Sequence, residues 1–133
     1  MTAIMRLNHV SLLVENTQRA LAFYQGVLGL PVCHDRPDFD FPGAWLELGM
    51  NQQIHLLELP SPDMGRERPA HGGRDHHVAL DVHDLEALVS ALDNAGIGYT
   101  RSRSGRRALF CRDPDGNAIE LIERPNGAAT GGS

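Results

Sequence analysis

The sequence predicts an α+β fold in which two tandem βαβββ modules contribute strands to a curved mixed sheet. Three observations carry this reading. Apolar residues recur with a period of two in some stretches and about 3.6 in others. The order strand, helix, strand, strand, strand occurs twice, and a stretch rich in Pro, Gly and charge lies between the two runs.

In the first module, residues 1–59, Leu7 to Val14 reads as a strand and Thr17 to Leu28 as a helix. Ala20, Leu21, Tyr24 and Leu28 share one helix face, Asn16 is the expected N-cap and Gly29 the C-terminal stop. A short strand is expected near Val32. Ala44 to Leu48 and Gln53 to Leu59 then flank Gly49-Met50-Asn51-Gln52, which reads as a hairpin. Residues 60–75 have a composition that cannot hold a sheet interior and read as a linker.

The second module, residues 76–125, begins with a strand from His76 to Val82. Asp84 caps a helix that buries Leu85, Leu88, Val89 and Leu92, and Gly96 ends it as Gly29 ends the first. A strand near Tyr99 follows. Ala108 to Cys111 and Ala118 to Glu123 form a second hairpin around Asp113-Pro114-Asp115-Gly116-Asn117, where Pro presets one turn dihedral and Gly supplies a positive φ. Residues 126–133 read as a flexible tail.

At 133 residues the chain fits one compact domain containing both modules. A net charge of −5 lacks the basic footprint that displaces counterions from phosphates, which excludes nucleic acid as the expected partner. The N-terminus has no signal-peptide pattern and no stretch is apolar for long enough to span a bilayer, so no membrane association and a cytoplasmic location are expected. Cys33 and Cys111 lack CxxC spacing and read as reduced core thiols.

Superposing the repeats exposes the candidate chemistry. Asn8-His9-Val10-Ser11-Leu12 falls on His76-His77-Val78-Ala79-Leu80, so His9 matches His77. Ile54-His55-Leu56-Leu57-Glu58 falls on Ile119-Glu120-Leu121-Ile122-Glu123, so His55 matches Glu120. Two modules related by a pseudo-two-fold axis would bring the pairs to equivalent places. The expectation is therefore a cleft in which His9, His55, His77 and Glu120 bind one divalent metal ion. Strand alternation agrees, because Val10, Leu12, Val78 and Leu80 point the other way and can cover helices. Imidazoles with a carboxylate suit Zn, Ni, Co, Mn or Fe(II), and the absence of thiolates argues against a Cys-rich structural zinc.

Blander readings weigh against each residue taken singly. A lone half-buried strand histidine is more often a satisfied core residue than a ligand, and a lone strand glutamate usually faces solvent. Matching by repeat reverses that for these four. His34, His71, His76 and His83 have no such match and read as surface or linker residues. Glu47 would replace His55 if the hairpin register slips. Arg106, Arg107 and Arg112 either keep a sheet edge soluble or sit at a pocket mouth and favour an anionic substrate. Phe39, Phe41, Trp45 and Phe110 read as core before pocket.

LNHVSLLV from Leu7, ALAFYQGVLGLPV from Ala20, GAWLELG from Gly43, IHLLELP from Ile54, HHVALDV from His76 and RDPDGNAIELIE from Arg112 together resemble the vicinal oxygen chelate superfamily. That superfamily includes glyoxalase I, fosfomycin-resistance transferases, extradiol dioxygenases and bleomycin-binding proteins, and the resemblance covers nearly the whole chain. It is strongest to glyoxalase-I-like proteins. It implies that His9, His77 and Glu120 are metal ligands and that the protein is a homodimer, with sites often shared between chains. At His55 the sequence departs from the pattern: the similar position in glyoxalase I is a glutamate that moves a proton between adjacent carbons of a thiohemiacetal. Ser11 resembles the hydroxyl that follows the first ligand in fosfomycin-resistance enzymes, but their potassium loop has no counterpart here.

The leading expectation is a metal-dependent glyoxalase-I-like lyase or isomerase that chelates vicinal oxygens of a small substrate, with Glu120 and His55 as its catalytic residues. The alternatives are an extradiol-type dioxygenase and a non-catalytic, drug-sequestering binding protein.

Overall fold

The structure is a computed structural model that describes residues 2–124. The tail expected over 126–133 lies outside the described residues.

The first module comprises β1 (His9–Val14), α1 (Thr17–Leu21), β2 (Val32–Cys33), β3 (Gly43–Gly49) and β4 (Gln52–Glu58). Its four strands are ordered β1-β4-β3-β2, with β1 parallel to β4 and the other pairs antiparallel. The second module has β5 (His77–Val82), α2 (Leu85–Asn94), β6 (Tyr99–Arg101), β7 (Ala108–Arg112) and β8 (Ala118–Glu123), ordered β5-β8-β7-β6 with the same directions. The βαβββ repeat is thus present as two four-stranded mixed sheets. The chain divides into compact units at Met64 and Gly65.

Each sheet has one apolar and one mixed face, as the period-two pattern requires. In the first, Val14, Ala44, Leu46, Ile54 and Leu56 are buried on the face that receives Ala20, Phe23 and Tyr24. In the second, Leu109, Cys111, Ile119 and Leu121 are buried on the face that receives Leu85, Val89 and Leu92. Burying each large aliphatic side chain is worth about 1.5–3 kcal/mol. Helices this short are unstable alone, so this packing rather than intrinsic propensity holds them. Both cysteines are free, and Cys111 is buried.

The first helix differs from the expectation of regular α structure over 17–28. It is α-helical only through Leu21 and continues as a π-helix over Ala22–Val27, where the Leu28 amide donates to the Phe23 carbonyl at 2.9 Å. The wider turn buries the adjacent pair Phe23 and Tyr24, whose rings meet edge to face at 4.9 Å, while Leu28 is only half-buried. Gly29 then takes φ 79°, the left-handed conformation that ends the helix.

Each module also ties the end of its last strand to the start of its own helix. Glu58 accepts from the Thr17 amide at 2.8 Å and the Thr17 hydroxyl at 2.9 Å. Glu123 accepts from the Leu85 amide at 3.1 Å. Asn16 and Asp84 cap the same two helices, accepting from the Arg19 and Ala87 amides at 2.9 and 3.1 Å. No described helix is long and apolar enough to cross a membrane.

Candidate metal centre

The four matched residues lie on strands and project from the sheet face opposite each helix. In β1 half-buried Val10 and Leu12 alternate with exposed His9 and Ser11, and in β5 half-buried Val78 and Leu80 alternate with exposed His77 and Ala79. Register then aligns the partners: Ser11 pairs with His55, and Ala79 with Glu120. Parallel pairing keeps paired residues on one face, so His55 joins the face of His9, and Glu120 that of His77.

In the second module His77 Nε2 lies 3.3 Å from Glu120 Oε1, and His77 Nδ1 donates to the Asp75 carbonyl at 2.8 Å. That donation fixes the tautomer that leaves the Nε2 lone pair facing the carboxylate, as ligating histidines are usually arranged. The 3.3 Å separation is close to the ~3.4 Å expected for two ligands about 2.0–2.1 Å from one tetrahedral ion. Glu120 is buried. Its other oxygen, Oε2, accepts from Arg106 Nη2 at 3.3 Å. The edge of Phe110 borders His77, with centroids 5.0 Å apart.

In the first module His9 Nδ1 is held by Asn8 Oδ1 at 2.8 Å, which by the same logic leaves Nε2 as the lone pair. The His55 ring is buried between two others. It stacks on His9 with centroids 4.0 Å apart and planes at 17°, and on Trp45 at 4.0 Å and 5°. His55 Nε2 donates to Gln53 Oε1 at 2.8 Å, and the Gln53 amide donates on to Glu47 at 3.3 Å. Burial first, then the nearby His9 and Arg36, lower the pKa of His55 and favour its neutral form.

The donor chemistry of His9, His77 and Glu120 fits a divalent ion. His55 fits less directly, because Nε2 is engaged by Gln53 and only Nδ1 is left as an acceptor. The structure brings the expected residues together as one pair in each module, and among the described residues no group of three or more His, Cys, Asp or Glu is clustered for metal binding. Glu47 faces the same side as His55, being registered opposite Gln53.

His71 lies in the linker, as one of its two expected readings has it, and is half-buried there: its Nδ1 pairs with the Thr100 hydroxyl at 2.7 Å, and its ring meets Phe110 edge-on at 4.9 Å. Two other expectations need correction. Arg112 is neither an edge charge nor a free anion site, because it donates to Asp75 at 2.9 Å, the Gly116 carbonyl at 2.7 Å and the Pro69 carbonyl at 2.5 Å. Phe110 is core, but Phe39 is exposed and Phe41 and Trp45 are only half-buried. Those three form a row with centroids 5.4 and 6.2 Å apart that runs up to His55, with Arg36 over Phe39 and Phe41. Gln53 and Asp75, which hold candidate ligands, escaped the sequence reading, and Arg106, read as an edge or pocket-mouth charge, was not linked to Glu120; only alternation onto the same face, or closeness to a ligand in sequence, could have pointed to these contacts.

A βαβββ module that occurs twice, with His9 and His55 on the polar face of one copy and His77 and Glu120 on that of the other, defines the fold class. Comparison with known proteins names the family. The profile of the Glyoxalase/Bleomycin resistance protein/Dioxygenase superfamily matches residues 6–121, and the chain belongs to that superfamily. It is 34% identical over 120 residues to Glyoxylase I 4 of Arabidopsis thaliana, covering 86% of this chain and 68% of that protein. It is 30% identical over 126 residues to lactoylglutathione lyase of Haemophilus influenzae, covering 90% and 93%. Among solved structures, a variant of the Listeria monocytogenes fosfomycin resistance protein FosX, in complex with Mn(II) and 1S,2S-dihydroxypropylphosphonic acid, superposes with a TM-score of 0.70 at 18% identity, covering 95% and 97%. The antibiotic-binding protein TnmS3 of a Streptomyces species superposes at 0.70 and 22%, covering 92% and 98%. At these identities the two structures share the fold.

Proposed function

We propose that this protein is a divalent-metal-dependent, glyoxalase-I-like lyase or isomerase. In this reading His9, His55, His77 and Glu120 ligate one ion, in a homodimer acting on a small substrate with oxygens on adjacent carbons. The observation that carries it is the His77–Glu120 pair, with its tautomer set by Asp75 and a buried carboxylate 3.3 Å from the imidazole. A buried carboxylate and an acceptor nitrogen facing each other are costly to leave without a shared cation or proton.

When bound, the ion would supply Lewis-acid stabilisation of the charge that develops on a substrate oxygen as a neighbouring C–H is deprotonated. The chain's own residues do the rest. Asn8 and the Asp75 carbonyl hold His9 and His77 by Nδ1, so each presents Nε2. His55, kept neutral by burial, has Nδ1 to ligate or to accept a proton. Glu120 is buried and faces His77, and its carboxylate is the other candidate for the proton.

The test is twofold: metal per chain by elemental analysis, and isomerisation of a glutathione thiohemiacetal to the thioester by the metal-loaded protein. Glu120→Gln and His55→Ala should keep the fold by circular dichroism while lowering metal content and turnover. Metal-loaded protein with no activity on any thiohemiacetal would sink the glyoxalase assignment, and failure to take up metal after reconstitution would sink the site.

A second reading has one observation in its favour. The incompletely buried row Phe41, Phe39 and Trp45, which ends on the buried His55 ring, is suited to stacking a flat ligand, as a sequestering protein would use. Equal affinity of metal-stripped and metal-loaded protein for a planar aromatic drug would make that the better account.

A further inference from the structure

We infer that Arg106 is a positioning residue for Glu120: it holds one carboxylate oxygen so that the other is presented toward His77. This rests on the reading of Glu120 as a metal ligand and assigns a role to a residue which that reading leaves out.

The two oxygens of Glu120 are used differently. Oε1 faces His77 Nε2 at 3.3 Å, and Oε2 accepts from Arg106 Nη2 at 3.3 Å. A carboxylate side chain can rotate about its last bond, and a partner on one oxygen removes that freedom. The carboxylate is 4% exposed and Arg106 is 58% exposed, so the guanidinium reaches in from solvent to a buried acceptor. An ordinary surface ion pair is worth little, but an acceptor this buried gives the contact more weight.

The loop before β7 is built to deliver this side chain. Gly105 takes φ 86° and so turns the chain where an L side chain would be strained. Ser102 and Ser104 hydroxyls meet at 2.8 Å, and Ser104 Oγ accepts from both the amide and the Nε of Arg106 at 3.3 Å. The guanidinium is therefore held at Nε by the loop and offers Nη2 to Glu120. Its neighbour Arg107 is directed elsewhere, to Glu123 and Glu86. Of the two adjacent arginines only Arg106 meets the candidate ligand.

Two effects of Arg106 on a bound cation oppose each other. Its positive charge repels the ion, while its hydrogen bond fixes the ligand. Because it sits on the oxygen that His77 does not face, and because its exposed charge is screened by water, the second effect should dominate.

The experiment measures the dissociation constant of Zn(II), by competition with a chromophoric chelator, for the full-length protein and for Arg106→Ala, Arg106→Lys, Glu120→Gln and the Arg106→Ala/Glu120→Gln double variant. Arg106→Ala should weaken binding by about tenfold. Arg106→Lys should recover part of the loss, and Arg106→Ala should add almost nothing once Glu120 is Gln. Unchanged or tighter binding in Arg106→Ala would overturn the inference and make Arg106 a bystander or a competitor of the ion. If Glu120→Gln itself binds as tightly as the parent, the metal-site reading fails and this inference with it. Weakening in Glu120→Gln without weakening in Arg106→Ala overturns the positioning role alone.

Discussion

The imidazole of His55 lies face to face with the indole of Trp45, their centroids 4.0 Å apart and their planes at 5°. Trp45 is the only tryptophan in the chain, so its emission reports on this ring alone. Titration with Co(II) or Ni(II), which quench nearby indoles, should lower the emission in a saturable way. His55→Ala should shift the curve to higher metal concentration. If emission is flat while the chelator assay shows the ion bound, His55 is not near it.

Glu58 predicts a stability effect specific to its acceptor chemistry. Its carboxylate takes both the amide and the hydroxyl of buried Thr17, closing the first module from the end of its last strand. Glu58→Ala should cost about 1–3 kcal/mol in urea unfolding, because both donors lose their partner. Glu58→Gln keeps an acceptor of the same length and should lose less than half of that. Equal losses would show that the side chain matters for packing and not for the cap.

These caps show which parts of the molecule were legible in the sequence. Asn16, Asp84 and Gly29 announce helix ends because their physics is local, and the repeat revealed the βαβββ order because two copies of each strand could be compared. The pairing of His9 with His55 and His77 with Glu120 on common faces also followed from alternation. The π-helix after Leu21 was hidden, since the apolar spacing of Ala20, Tyr24 and Leu28 suits a regular α-helix equally well. The partners of Arg106, Arg112 and Gln53 were hidden for another reason. A long polar side chain spends its hydrogen bonds on whatever the fold brings near, and neither Pro69 nor Asp75 signals in sequence that Arg112 will reach it.

Asp75 gives a pH dependence whose sign can be worked out. Burial acts to raise its pKa, but hydrogen bonds from Arg68 and Arg112, the Arg68 charge and the His76 amide outweigh burial and hold it at about 2. The folded value lies below the ordinary one near 3.8. The stabilisation is therefore complete above the unfolded-state pKa and is lost as pH falls through the folded one. Asp75→Asn should be less stable than the parent at neutral pH, with the gap narrowing below about pH 4 and closing near pH 2 in urea titrations. A gap that is constant down to pH 2 would mean that Asn replaces only shape and that the ionised carboxylate contributes nothing.

The turn between β3 and β4 offers a stabilising substitution. Gly49 and Gln52 are paired and enclose two residues, Met50 and Asn51, both at positive φ, 53° and 59°. This is the two-residue hairpin turn whose twist matches its strands and which prefers Asn followed by Gly. Asn51 tolerates the left-handed region; Met50 does so at a cost of about 1 kcal/mol. Met50 is also 92% exposed, so removing its side chain sacrifices almost no burial. Met50→Asn should raise the melting temperature by about 2–5 °C, and Met50→Val, whose branched carbon crowds that conformation further, should lower it. The order Asn above Met above Val in differential scanning calorimetry checks the turn directly. A fall in Met50→Asn would instead mean that the Met50 side chain is covered in solution and contributes more there than the strain costs.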